Sequence, residues 1–190
     1  RACLESNFAL RRLVGPENFY LGIADAEAQQ LASLADLLRQ GPVPSASLRE
    51  ASLADAVLVL GEDVSNVAPM LDLALRRSVL RQPSLLAREL HIDPWNDAAV
   101  REALQTARGP LFLATPSDTQ LDAAATRVYH AAPQDIARLG FAVAHRLGAR
   151  VPAVPGLPAD LDALAQEIAG QLAEAQSPLV VSGSGGGSQA

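Results

Sequence analysis

The groups in this sequence that could do chemistry are few and widely spaced. After the apolar run Ala56-Val57-Leu58-Val59-Leu60 comes Gly61-Glu62-Asp63-Val64-Ser65-Asn66, which sets two carboxylates and an amide at the end of a buried strand. Glu62, Asp63 and Asn66 are the polar groups best placed to touch a ligand. The same residue types also make turns and helix caps, and on the residues alone that plainer reading is preferred. Of the three histidines, His91 stands near Asp93 as a possible metal pair. A third ligand at helical or hairpin spacing is missing, so both read as loop residues. His145 shares its register with Arg138 and Arg146 and reads as part of a solvated helix face. His130 carries no further signal. Gly185-Gly186-Gly187-Ser188-Gln189-Ala190 matches G-x-G-x-x-G/A after a strand, a loop that could turn backbone N–H groups toward a pyrophosphate. The helix and acidic residue that complete that motif do not follow, so a flexible turn is the preferred reading. The same stretch approaches a hydrolase nucleophile elbow but lacks its last glycine and any later Asp and His. No acid–base pair, nucleophile or metal set stands out; no catalytic and no metal-binding residue is expected.

The elements that would position these groups alternate along the chain. Leu4 to Val14 reads as a helix stopped by Gly15 and Pro16, and Phe19 to Ile23 as a short strand. Asp25 would cap a helix to Arg39 with Leu31, Leu34, Ala35 and Leu38 on one stripe, ended by Gly41-Pro42. A loop from Pro42 to Ser47 leads to the strand Ala56 to Leu60, whose unalternating apolar character suits burial on both faces of a parallel sheet. Gly61 allows the sharp turn and Ser65 or Asn66 would cap the next helix, with Val67, Met70, Leu71, Ala74, Leu75 and Ser78 inward. Leu85 to Leu90 reads as a separate short helix, and Asp97 to Ala107 as another. Leu111 to Ala114 is a buried strand ending at Thr115-Pro116-Ser117-Asp118-Thr119, and Thr126 to Tyr129 an edge strand. Pro133 opens a helix to Leu147. Val151 to Pro158 is a linker with Pro152, Pro155 and Pro158, followed by a helix through Leu161 and Leu172 and a strand Leu179 to Val181.

This alternation predicts an α/β fold, a doubly wound and mostly parallel sheet with helices on both faces. The expected division is an α/β domain over 1–150 and, over 151–190, the linker, helix and strand that begin the next α/β portion. In open parallel sheets ligands sit at the carboxyl ends of the strands, so the loop after Leu60 faces the functional edge.

The 190 residues carry 15 basic against 21 acidic side chains, a net charge of −6 that argues against a phosphate-neutralising, nucleic-acid-binding surface. Cys3 is the single cysteine, so this stretch holds neither an internal disulfide nor a thiolate set for zinc or an iron–sulfur cluster. A reducing, cytoplasmic setting fits. No apolar run approaches the ~20 residues of a membrane span. Arg1 at one end and the glycine-rich stop at the other suggest an internal piece of a longer protein.

Several stretches resemble, in order, the molybdopterin oxidoreductase family of formate dehydrogenases and nitrate reductases. Glu5-Ser6-Asn7-Phe8 with Leu10, Leu13, Gly15 and Asn18 looks like the family's helix before its G-T-N-N turn. Ala54 to Gly61, with Asn66 and Pro69, is similar to its A-D-x-I-x-x-x-G-x-N-P stretch. Leu111 to Thr119 stands for the strand ending in D-P-R-x-T, and Ala132-Pro133-Gln134-Asp135 for P-G-T-D. In active members a cysteine, selenocysteine or serine molybdenum ligand follows the G-T-N-N turn; here Leu21-Gly22-Ile23-Ala24-Asp25-Ala26 offers neither thiol nor hydroxyl. Leu13 to Phe19, Gly61 to Pro69 and Asp135 to Ala142 look closely like a branch that keeps the fold without the cofactor, the G subunits of bacterial NADH-quinone oxidoreductase, respiratory complex I.

The resemblance implies a peripheral-arm subunit whose separate, cysteine-rich front part carries iron–sulfur clusters between NADH and quinone. This region would be a cofactor-free scaffold without catalysis of its own. Gly61, Glu62, Asp63 and Asn66 would be a vestigial cradle, the other peripheral-arm subunits its partners, and the cytoplasmic face of the plasma membrane its location. The rival reading is part of a working molybdenum enzyme, in which Gly61, Glu62 and Asn66 touch the pterin's guanine nucleotide. A third is a nucleotide-binding module built on the Gly183 to Gly187 loop.

Overall fold

The computed structural model describes residues 3–20, 22–41, 45–93 and 108–183. It divides into two compact units, Arg1–Pro44 and a larger one from Ser45 to Ser188. The first holds α1 (Leu4–Val14), a 3₁₀ turn at Pro16–Asn18 and α2 (Asp25–Gln40). Residues 19–20 and 22–23 form no strand, because apolar β-formers alone do not make one without a neighbour to pair with. Asp25 lies inside the first turn of α2 rather than capping it; Ala24 takes the cap position with no side-chain bond.

The second unit is a four-stranded parallel sheet of order β3-β2-β1-β4, built from β1 (Ala56–Leu60), β2 (Leu111–Thr115), β3 (Arg127–His130) and β4 (Pro178–Ser182). Helices α3 (Leu48–Leu53), α4 (Val64–Val67), α5 (Pro69–Glu89), α6 (Pro133–Arg146) and α7 (Ala159–Glu174) complete the unit among the described residues. Side chains alternate across a strand, and both faces of β1 and β2 are buried. Val57, Val59, Leu111 and Leu113 pack against Val64, Leu75 and Val79 on one face. Ala56, Leu58, Phe112 and Ala114 pack against Ile136, Leu139, Leu161, Ile168 and Leu172 of α6 and α7 on the other. The doubly wound reading therefore holds, and the near-continuous apolar composition of the two inner strands is its cause.

Several boundaries differ from expectation, each for a local reason. α3 falls where only a lead-in was expected, nucleated by a capping box in which the Ser47 hydroxyl accepts from Glu50 N while the Glu50 carboxylate accepts from Ser47 N. Neither Ser65 nor Asn66 caps α4; Asp63 does. Val67 and Met70 are exposed, and the inward stripe of α5 runs instead through Ala74, Leu75, Ser78 and Val79. Leu85 to Glu89 continue α5 through Pro83 rather than starting a new helix. The edge strand lies one residue later than expected. The helix expected over 97–107 lies outside the described residues. Past the proline-containing segment, β4 pairs with β1 in register Ala56↔Pro178 to Leu60↔Ser182, so α7 and β4 belong to the same sheet as the strands before residue 150. Asp55 fixes that junction, its carboxylate accepting from Gln176 N at 2.9 Å and Ser177 N at 2.8 Å. No helix among the described residues is long and apolar enough to cross a membrane.

Candidate functional site

The chain moves outward from β1 to β2 and β3, then returns to place β4 on the other side of β1. The switch point of this sheet is therefore the crevice between the loops that leave β1 and β4, where a doubly wound fold would seat a ligand. Gly61 opens the first loop with φ +74°, a left-handed conformation that glycine adopts without strain, and its N–H donates to Ala114 O at 2.8 Å. This turn carries the strand directly into Glu62, Asp63 and α4.

The polar groups there are turned on one another. The Asp63 carboxylate accepts from the backbone N–H of Asn66 at 3.3 Å and from its side-chain amide at 2.5 Å. Ser65 Oγ donates to Asp72 at 3.0 Å, and Asp72 binds Arg76 at 2.8 Å. Glu62 lies across the mouth of the second loop, so close to Gly183 that a Cβ there would collide with the Glu62 carboxylate. The expected residues Gly61, Glu62, Asp63 and Asn66 do come together at the carboxyl edge, where Asn66 occupies the Asp63 carboxylate. Residues 184–187 of the glycine-rich loop lie outside the described residues.

The remaining candidates separate. His91, with φ +56°, ends α5 and its Nδ1 lies 3.1 Å from Glu89 O. His145 Nδ1 lies 3.0 Å from Val151 O and ties down the turn after α6. Two arginines of α5 are structural: Arg76 donates to Gln120 O at 2.6 Å, and Arg81 donates to Leu53 O, holding α5 to its neighbours. A group the sequence did not announce forms at the other end of the same sheet edge, where Asp118, Asp122 and His130 bring one ligand atom each within 4.8 Å of one another. Their spacing is irregular along the chain, and only the parallel register Thr115↔His130 brings them together.

Fold and site define a doubly wound, all-parallel α/β unit whose ligand edge is lined with its own carboxylates. No family model matches the chain. Over its whole length it is 46% identical to the G subunit of NADH-quinone oxidoreductase from Pseudomonas fluorescens. Over 99% of its length it is 44% identical to the G subunits of the same oxidoreductase from Salmonella typhimurium and Escherichia coli K12. The chain is thus homologous to a segment of these G subunits, spanning about a fifth of their length: it covers 21% of each.

Proposed function

We propose that this chain serves, within the whole subunit, as a cofactor-free scaffold and contact surface in an NADH-quinone oxidoreductase. The parent protein passes electrons from NADH through iron–sulfur clusters toward quinone, and those clusters belong to its cysteine-rich front part. This region then contributes no catalytic residue. It docks the other peripheral-arm subunits, on the cytoplasmic face of the plasma membrane.

The observation that carries the reading is the acidic turn at the switch point. A nucleotide pyrophosphate needs donors and positive charge at the strand ends. Here Asp63 has its donors within its own turn, and the Glu62 carboxylate lies against Gly183. Two carboxylates beside a diphosphate repel it, so the residues present do not fit the pterin's guanine nucleotide. The sequence from Leu21 to Ala26 also supplies no thiol or hydroxyl ligand for molybdenum. The test is the metal and pterin content of the intact parent protein from its native cells. Iron without molybdenum or pterin is the expected result. Stoichiometric molybdenum with pterin would overturn the proposal and restore the loop after Leu60 as a cofactor site.

A further inference from the structure

The ends of β2 and β3 gather groups that the switch point does not use. His130 Nδ1 lies 3.1 Å from Thr115 Oγ1 and 3.3 Å from Thr115 O. Thr115 is buried, and its hydroxyl hydrogen is given to Ser117 O at 3.0 Å. Both Thr115 oxygens facing the ring can therefore only accept, which requires Nδ1 to carry the imidazole hydrogen. Nε2 is directed the other way, at Asp122 Oδ2 at 3.0 Å and Asp118 Oδ1 at 3.2 Å. Carboxylate oxygens only accept. With the ring neutral, three acceptors would converge there, unless a cation at their centre or a second proton on Nε2 separates them.

The geometry points to a divalent transition-metal ion, zinc or manganese, held by His130 Nε2, Asp122 Oδ2 and Asp118 Oδ1. With bonds of about 2.1 Å, neighbouring ligand atoms in tetrahedral or octahedral shells lie about 3.0–3.4 Å apart. The two distances to Nε2 already fall in that range. The imidazole distinguishes the site from the all-oxygen shells of calcium and magnesium, and a dipositive ion neutralises both aspartates. The supporting contacts are in place. Thr115 fixes the ring and its tautomer, as partners of metal-bound histidines do. Thr119 Oγ1 donates to the second Asp122 oxygen at 2.6 Å, and Arg76 holds the loop through Gln120 O. Asp118 is 95% exposed, so it can adjust to the ion, and the open positions face solvent. The ion would fasten the loop after β2 to the edge strand β3. A second proton on Nε2 is the rival occupant, and the experiment separates the two.

The experiment is equilibrium dialysis of the chelator-treated, full-length parent subunit against zinc chloride, with elemental analysis and zinc X-ray absorption. Wild-type protein should retain one zinc more than D122N and H130Q. The difference spectrum should show one imidazole nitrogen and two carboxylate oxygens at about 2.0–2.2 Å. D118N should bind roughly tenfold or more weakly, as should T115V, which loses the group that orients the ring. D118N is decisive because Asp118 is almost wholly exposed and the fold does not depend on it. Zinc binding in D118N equal in stoichiometry and affinity to wild type would overturn the site, whatever the other variants show.

Discussion

Glu50 is fully exposed, yet hydrogen bonds from the Ser47 backbone and hydroxyl hold its carboxyl below the ordinary range. Because the folded state favours the charged form, the stabilisation is present above the unfolded pKa and is lost as pH falls through the folded one. Ser47→Ala should cost about 1 kcal/mol at neutral pH. It should also flatten the loss of stability on acidification, read by urea unfolding between pH 7 and about pH 3. Tyr129 behaves with the opposite sign. Burial, then the nearby Asp135 and Asp160, raise its phenol. Its contribution is complete below the unfolded value of about 10 and disappears as pH rises through the folded one. Tyr129→Phe should therefore remove part of the alkaline destabilisation, seen in melting temperatures above about pH 9.5. The S-x-x-E spacing of Ser47 and Glu50 is a helix-start signature that goes unread, because the proline- and serine-containing approach reads as a loop leading straight to the strand. The meeting of Asp118, Asp122 and His130 was not legible. It depends on which strands pair, and no local spacing encodes that.

Among the elements, the strands were the most readable, because runs such as Ala56-Val57-Leu58-Val59-Leu60 can be satisfied only by cover on both faces. Phe112 lies in the layer that α6 and α7 cover and is 2% exposed. Phe112→Ala should cost about 3–5 kcal/mol, measured by denaturant unfolding at unchanged slope. The helices were harder to read. Leu85 to Leu90 read as a separate helix, yet α5 runs on through Pro83 and packs on the sheet through Leu75 and Val79. Tertiary packing there outweighs a residue that costs about 3 kcal/mol in an isolated helix. The strand expected at Phe19 to Ile23 failed for the opposite reason, since the described residues offer it no partner. At the junction of β1 and β4, Asp55→Ala leaves the N–H groups of Gln176 and Ser177 without their acceptor. A loss of about 1–3 kcal/mol is expected, with hydrogen exchange of Leu179 to Ser182 rising before that of β2.

At the scale of the whole molecule, the two units differ in how they can be stable. None of the described residues from 3 to 41 is buried, and Leu4, Phe8, Leu13 and Leu37 are well exposed. Helices of this length are marginal in water without tertiary cover. In hydrogen-exchange mass spectrometry of this chain alone, α1 and α2 should exchange almost at once while β1 and β2 stay protected. Within the longer subunit proposed above, the same helices should be protected. The order β3-β2-β1-β4 also sets a sequence of events in time. As the chain leaves the ribosome, β1 emerges before the other described strands, yet one of its flanks waits for Pro178 to Ser182, the latest of the four. Until then the central strand keeps an open edge, the exposure that invites wrong pairing in slow-folding parallel sheets. Of the two inner strands described, the one synthesised earlier is thus the one enclosed later.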